Sequence, residues 1–208
     1  MFHEVDIDAW ERKSTYEFFL NYEDPFFNIA ANLDVTRLHR FCKDNGLAYS
    51  LAALFLSLQA ANEIREFRLR MIDDRVVEFD RVEATQTILN EDETFSFCYF
   101  PLKDDIFQFD RSGKAAREKY LALKTFDVET DRFDLIYYSS IPWISFTSFK
   151  HASPRNNRQT IPRMVFGKMF DDGPVKKMPF SVEAHHALVD GIHVGKLFNL
   201  FQQKIDSL

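Results

Sequence analysis

The sequence is poor in glycine and cysteine and has no long apolar run. Six of its 208 residues are glycine, and none belongs to a GxGxxG or GxxxxGK pattern, so the common nucleotide-binding loops are excluded. The two cysteines, Cys42 and Cys98, form no CxxC pair and no metal-binding spacing, which is typical of free thiols in a reducing compartment. The longest apolar stretch, Leu51–Leu56, is far shorter than the ~20 residues that a membrane-spanning helix needs.

Charge and the N-terminal sequence limit the partners and the location. The net charge of −6 argues against nucleic acid as a main partner, because phosphate binding needs a basic face. The first residues carry neither the basic nor the apolar region of a secretory signal, so we expect a cytoplasmic protein. The length predicts one domain over residues 1–208. Phenylalanine, by contrast, is abundant at 23 residues, which suits an aromatic core or an aromatic-lined pocket.

Strand and helix patterns alternate irregularly, which predicts an α/β or α+β fold with a mixed sheet covered by helices. Strands are predicted at 26–34, in a hairpin over 68–79 that turns at Asp73-Asp74, and at 94–100, 135–140, 144–149, 164–170 and 175–185. Helices are predicted from Thr36 to Gly46, from Ser50 to about Ile64 and over 104–124, with Thr36 and Ser50 as N-caps. A last helix carries one apolar stripe formed by Val194, Leu197, Phe198, Phe201 and Ile205.

Three of the six histidines lie within nine residues, in the segment His185-His186-Ala-Leu-Val-Asp190-Gly191-Ile-His193. The pattern predicts a strand that ends at a histidine, followed by a carboxylate at the start of a helix. Histidine is the natural general base at neutral pH, because its ordinary pKa is about 6.5. Two other interpretations stay open, namely a helix N-cap at Asp190 beside two strand histidines, and a metal-binding pair. We expect no metal, because consecutive strand residues point to opposite faces and no third ligand cluster lies nearby.

This histidine segment resembles the HHxxxDG signature of chloramphenicol acetyltransferases, and dihydrolipoyl acyltransferases share a related motif. Three further segments are similar to that family in the same order, namely WERKSTYEFF at 10–19, ETFS at 93–96 and PWISFTSF at 142–149. Together the four segments cover nearly the whole chain. The resemblance implies the family's two-layer mixed-sheet fold and a homotrimer with active sites between subunits.

The resemblance also implies direct transfer of acetyl from acetyl-CoA to a hydroxyl of a small acceptor such as chloramphenicol. His186 matches the general base, Asp190 and Arg12 match an ion pair that holds the histidine loop, and Ser148 matches the hydroxyl that stabilises the oxyanion. Without the resemblance, the favoured interpretation of Ser148 is a strand hydroxyl bonded to backbone, and that of Arg12 is a surface residue. No GxSxG pattern is present, so Ser148 is a poor nucleophile. His193 is interpreted as a helix-face histidine rather than a second base.

Five positions match the family's acceptor pocket, and they are Phe19, Glu23, Phe95, Phe146 and Val165. Phe19 stands where a tyrosine is usual, Glu23 where a leucine is expected, and Val165 in place of a threonine that orders a water. A buried carboxylate at position 23 would be costly. We therefore expect an acyltransferase that acetylates chloramphenicol weakly and prefers a more polar or cationic acceptor. The alternative is a non-catalytic member that binds acyl-CoA or a small ligand.

A locally basic stretch suggests where CoA binds. From Leu135 to Phe170 there is no Asp or Glu, whereas the stretch contains the basic residues Lys150, Arg155, Arg158, Arg163 and Lys168. Such a stretch suits the phosphates of CoA. A solvated loop that happens to be basic explains the pattern equally well. On the first interpretation, Lys168, Arg155 and Arg158 contact CoA.

Overall fold

The computed structural model describes residues 1–123, 129, 131–152 and 159–208. In chain order its elements are β1 (Phe2–Glu4), α1 (Lys13–Leu20), β2 (Phe26–Asp34), α2 (Thr36–Asn45), α3 (Tyr49–Asn62), a 3-10 turn (Arg65–Arg68), β3 (Leu69–Ile72), β4 (Arg75–Phe79), β5 (Glu83–Leu89), β6 (Phe95–Phe100), α4 (Ile106–Leu123), β7 (Leu135–Ile141), β8 (Arg163–Gly167), β9 (Phe170–Asp172), β10 (Val175–His185) and α5 (Gly191–Asp206). None of the helices described is long and apolar enough to span a membrane.

The strands of the described residues form two sheets. A small antiparallel sheet has the order β1-β4-β3. The large sheet has the order β2-β10-β8-β7-β5-β6, and β9 pairs with β10 outside this path. Strand β7 runs parallel to both β5 and β8, whereas the other pairs are antiparallel. The mixed sheet that the sequence predicts is therefore confirmed.

Helices α3 and α5 cover one face of the large sheet and enclose the core. Helix α3 is apolar on nearly every side and almost wholly buried, as expected for a helix at the centre of a core. Helix α5 buries its predicted stripe, although Phe198 is only partly buried. Rings of the sheet and of α5 meet directly, since Phe180 lies 5.3 Å from Phe201 and 5.2 Å from Phe198 between centroids. This packing fixes the end of β10, from which the site begins.

Local sequence signals explain several boundaries. Helix α2 ends at Gly46, whose φ of 67° is the left-handed conformation that glycine adopts without strain. The β3–β4 hairpin turns at Asp73 and Asp74, with φ values of 50° and 64° that match a primed hairpin turn. Both features agree with the predictions from the sequence. The strands predicted at 26–34 and 175–185 also have the observed bounds.

The two predicted N-caps are wrong. Helix α2 has Val35 at its N-cap, and the hydroxyl of Thr36 instead accepts a hydrogen bond from the amide of Lys176 at 2.8 Å. Helix α3 has Ala48 at its N-cap, and the hydroxyl of Ser50 accepts a hydrogen bond from α4. In both cases a tertiary contact takes the side chain that a local pattern assigns to the cap.

The strand predicted at 144–149 is also wrong, because this segment is irregular. Strands β7 and β8 are parallel neighbours, so the chain must leave the sheet after β7 in order to return to the start of β8. The strand predicted at 164–170 is divided in two, since β8 ends at Gly167 and β9 begins at Phe170.

Candidate active site

Strand β10 delivers two adjacent histidines to different surroundings. It lies between β2 and β8 in the large sheet, so pairing on both sides fixes where it ends. His185, its last residue, is 2% exposed, and its Nδ1 accepts the amide of Ala187 at 3.2 Å. The side chain of His186, just beyond the strand, is 31% exposed. His185 is therefore a buried structural residue, whereas His186 is accessible to a substrate.

Aromatic rings and backbone hold His186 in place. Its imidazole stacks on Phe19, with ring centroids 3.9 Å apart and 8° between the planes, and lies 4.5 Å from the ring of Phe27. Its amide donates to the carbonyl of Pro25 at 2.9 Å. The buried Nδ1 atom lies 3.1 Å from Oδ1 of Asp190, without the alignment that a hydrogen bond needs. The other ring nitrogen, Nε2, is thus the one available for proton transfer to or from a substrate.

Arg12 clamps the loop that carries His186. Its Nη1 donates to Oδ2 of Asp190, and its Nη2 lies 3.3 Å from Oδ1 of the same carboxylate. Nη2 also donates to the backbone carbonyls of His186 and Ala187, both at 3.4 Å. The exposed fractions of the Arg12 and Asp190 side chains are 14% and 28%, so this ion pair is partly rather than fully buried. Burial lowers the pKa of Arg12, and the nearby carboxylate of Glu66 opposes that shift.

His193 holds the same loop from the other side, which the sequence analysis missed. It lies in the first turn of α5 and is 7% exposed. Its Nδ1 accepts the backbone amide of Asp190 at 2.9 Å, and its Nε2 lies 3.6 Å from Oε1 of Glu66. A signal was present, because His193 stands three residues after an Asp N-cap, where a capping box usually has Glu or Gln.

The predicted oxyanion and acceptor residues are dispersed in a single chain. Ser148 is exposed on the irregular segment after β7, Glu23 is exposed before β2, and Phe95 is 45% exposed at the start of β6. Phe146 is partly buried, and Val165 is fully buried within β8. None of the hydrogen bonds, ion pairs or ring contacts among the described residues joins these five to His186. Of the predicted site, one chain brings together Arg12, Phe19, His186 and Asp190.

The predicted CoA contacts are only partly described. Lys168 is exposed just after β8, where its amide donates to the carbonyl of Ile144 at 2.9 Å. Arg155 and Arg158 lie outside the described residues. Among the residues that are described, no group of three or more His, Cys, Asp or Glu side chains is placed to hold a metal ion.

The whole chain matches known proteins. A family model described as chloramphenicol acetyltransferase matches residues 1–202. The chain belongs to the chloramphenicol acetyltransferase family. Chloramphenicol acetyltransferase of Proteus mirabilis is 30% identical over 203 residues, which are 97% of this chain and 94% of the relative. That of Staphylococcus aureus is 31% identical over 212 residues, which are 99% of this chain and 96% of the relative.

Solved structures agree with this family assignment. A chloramphenicol acetyltransferase structure superposes with a TM-score of 0.89 at 25% identity, covering 99% of this chain and 100% of the other. A probable dihydrolipoamide acetyltransferase from Listeria monocytogenes superposes with a TM-score of 0.68 at 15% identity, over 99% of this chain and 94% of the other, which shows a shared fold. The resemblance found in four short sequence segments is thereby confirmed. The chain is an acyltransferase of the chloramphenicol acetyltransferase family.

Proposed function

We propose that residues 1–208 form one catalytic domain that transfers acetyl from acetyl-CoA to a hydroxyl of a small acceptor. The observation that carries this proposal is the fixed imidazole of His186. Phe19 and Phe27 hold the ring, and Asp190 occupies the Nδ1 side, which leaves Nε2 for the acceptor. This arrangement suits a general base, which must lie within hydrogen-bond reach of the proton that it removes.

In the proposed reaction both substrates are bound together. Nε2 of His186 takes the proton of the acceptor hydroxyl while the hydroxyl oxygen bonds to the carbonyl carbon of the thioester. The hydroxyl of Ser148 donates a hydrogen bond to the oxygen that becomes negative in the tetrahedral intermediate. Breaking the carbon–sulfur bond then releases the acetylated acceptor, and the sulfur of CoA takes the proton back from His186. No acyl-enzyme is formed.

Asp190 and Arg12 act on this reaction by position. The carboxylate of Asp190 is engaged by Arg12 and lies beside Nδ1 of His186, so its charge favours the imidazolium that forms during transfer. Because Arg12 also binds the carbonyls of His186 and Ala187, it fixes the loop as well as the carboxylate. Asp190 is not the final proton acceptor in this scheme.

We further propose a homotrimer with active sites between subunits. Two observations support it. None of the contacts among the described residues joins the proposed oxyanion residue Ser148 to His186, which fits a site that a neighbouring subunit completes. Phe18, Trp143 and Ile144 are 58%, 62% and 60% exposed, and such apolar side chains suit an interface. Light scattering at micromolar concentration measures this directly, and a mass near the 24.5 kDa of one chain would contradict it.

The acceptor is proposed to be a small hydroxylated compound, more polar than chloramphenicol or cationic. Phe19 keeps the ring that stacks on His186 but lacks a hydroxyl, and Glu23 adds a carboxylate near the start of β2. An assay of CoA release with a panel of hydroxylated acceptors tests the proposal. Binding of acetyl-CoA without release by any acceptor would favour the non-catalytic alternative. Chloramphenicol resistance should follow only if turnover of that drug is efficient, which growth of an expressing, sensitive host measures.

The cytoplasm is the proposed compartment. The described cysteines Cys42 and Cys98 are both buried and free, which suits a reducing environment. Fractionation of the native cells tests this location, and recovery in an extracytoplasmic fraction would contradict it.

A further inference from the structure

Asp190 makes two sets of contacts at the start of α5. It is the N-cap of α5, and its carboxylate is turned to Arg12 and His186. The first amides of a helix have no partner within the helix, and at the start of α5 a capping box formed by Asp190 and His193 supplies acceptors. The backbone amide of Asp190 itself is bound by Nδ1 of His193 at 2.9 Å. His193 therefore fixes Asp190, and Asp190 in turn helps to fix the catalytic loop.

The hydrogen bond defines the form of the His193 imidazole. Nδ1 accepts a proton from the Asp190 amide, so it carries no proton of its own, and the ring proton of the neutral form is on Nε2. Nε2 faces Oε1 of Glu66 at 3.6 Å. A protonated imidazole would instead direct an Nδ1–H against the Asp190 amide, and two donors cannot form this hydrogen bond.

We propose that His193 is a positioning residue for acetyl transfer, which fixes Asp190 and the histidine loop only as a neutral imidazole protonated on Nε2. The inference rests on the proposed function of His186. It predicts that protonation of His193 frees the Asp190 amide and loosens the loop. The enzyme would then lose activity at acid pH through protonation of His193.

The surroundings of His193, taken together, favour the neutral form at neutral pH. Burial is the largest influence and lowers its pKa, and the positive charges of Arg12 and of Lys196 on α5 lower it further. Glu66, from the 3-10 turn, acts in the opposite direction and raises it. The carboxylate of Asp190 is paired with Arg12. His193 is thus neutral at neutral pH and becomes protonated on acidification.

Two variants distinguish the effect of the hydrogen bond to Asp190 from the effect of protonating His193. His193→Gln keeps an acceptor at the third helical position, as in an ordinary capping box, but does not titrate. His193→Leu has no acceptor. We expect His193→Leu to lose about five- to tenfold in kcat, with KM for the acceptor changed less than about twofold. His193→Gln should retain kcat within about twofold at pH 7.5.

The pH dependence of kcat/KM distinguishes this role from a purely structural role of His193, which would leave the profile unchanged. On acidification, log kcat/KM should fall further in the wild type than in His193→Gln, with an extra decrease of up to about the five- to tenfold that His193→Leu loses. His3→Gln, which alters an exposed histidine on β1, is the matched control and should keep the wild-type profile. An equal acid fall in the wild type and His193→Gln, or full kcat in His193→Leu, would overturn the inference.

Nitrogen NMR of the labelled wild type tests the geometry without turnover. The ring signals that disappear in His193→Gln should report an Nε2–H tautomer at pH 7.5, and an Nδ1–H tautomer overturns the inference by itself. If His193→Leu does not fold, this spectrum and the His193→Gln profile still decide. A wild type that releases no CoA with any acceptor would overturn the proposed function instead, so the two failures are distinguishable.

Discussion

The two halves of the proposed site differ in how much of each a single chain builds. The histidine side, formed by Arg12, His186, Asp190 and His193, is joined by an ion pair, backbone hydrogen bonds and a stacked ring. The oxyanion side, formed by the segment 142–150 with Ser148, is irregular and mostly exposed. Its described hydrogen bonds to the body of the protein include those of Ser145 and Ile144 with Lys168.

The difference indicates which part of the site a single chain must hold rigidly. A base must be held in one orientation, and contacts from three separate parts of the chain achieve this on the histidine side. The oxyanion side leaves the adjacent side chains of Trp143 and Ile144 exposed, which suits an interface with another subunit. We infer that folding of a single chain orients the base, and that assembly of subunits completes the site.

Removing the base should have the largest effect. His186→Ala is expected to lower kcat by about 10²- to 10⁴-fold, because general-base catalysis typically contributes that much. The control is His185→Ala, which removes a buried side chain and should act mainly through stability. Single-turnover acetyl transfer by both variants is the measurement. Near wild-type transfer by His186→Ala, together with complete loss in His185→Ala, would reverse the assignment.

The oxyanion side should matter for chemistry and not for folding. Ser148→Ala is expected to lower kcat by about 10²- to 10³-fold, which is typical of losing one oxyanion donor. Its melting temperature should stay within about one degree of the wild type, because the exposed hydroxyl contributes little to stability. Unchanged kcat would remove Ser148 from the mechanism.

The ion pair on the histidine side should couple stability to activity. Asp190→Asn leaves Arg12 without its charged partner, and a hydrogen bond to a charged group contributes about 1.5–3 kcal/mol to stability. We expect less than for a fully buried pair, because both side chains are partly exposed. Thermal unfolding and kcat should fall together. The control Asp171→Asn breaks an exposed pair with Lys176 and should change neither, and equal behaviour of the two variants would show the Arg12 pair to be superficial.

The two substituted acceptor positions, Phe19 and Glu23, differ in the same way. Phe19 belongs to the histidine side, whereas Glu23 is exposed in one chain and would meet the acceptor only in the assembled site. An unmatched polar group in a closed pocket typically costs about 1–3 kcal/mol, so Phe19→Tyr combined with Glu23→Leu should raise kcat/KM for chloramphenicol roughly ten- to a hundredfold. Each single variant serves as the control for the other. Efficient wild-type turnover that the double variant does not improve would place both residues outside the acceptor pocket.

The smallest expected effect is a pH dependence of stability from His193. Its folded-state pKa lies below the ordinary value of 6.5, so the unfolded chain takes up the proton first as the pH falls. The stabilisation is therefore present above about pH 6.5 and is lost on acidification towards the folded-state pKa. Urea unfolding at pH 7.5 and pH 5.5 should show a larger loss for the wild type than for His193→Gln. An equal loss in the two proteins would show that His193 titrates normally.

The elements that could be predicted are those whose bounds depend on residues close together in the sequence. The strand Val175–His185 and the end of α2 at Gly46 follow from local runs and from backbone preference. No local pattern predicts α1 or β5. In β5, Thr85 and Gln86 are buried by contacts with other strands, and nothing in the local sequence marks them as inward-facing.

The candidate site was predictable in composition but not in geometry. The motif identifies His186 and Asp190, and the resemblance adds Arg12, which the fold brings to Asp190 across 178 residues. No spacing in the sequence indicates that Phe27 would flank His186 or that Glu66 would face His193, because both depend on how distant elements pack. The caps at Thr36 and Ser50 failed for the same reason.

The position of β10 in the large sheet has a consequence for synthesis of the chain. Strand β2 is at the edge of that sheet, and within the described residues it pairs with β10 alone. A growing chain therefore carries β2 without a strand partner from residue 34 until residue 175 and beyond have emerged, several seconds at least at ~5–20 residues per second. Unpaired strands are templates for aggregation, so nascent chains that stop before β10 should be insoluble or bound to chaperones. Arg12 likewise cannot pair with Asp190 until residue 190 has been synthesised. The catalytic loop is therefore among the last parts of the molecule to form.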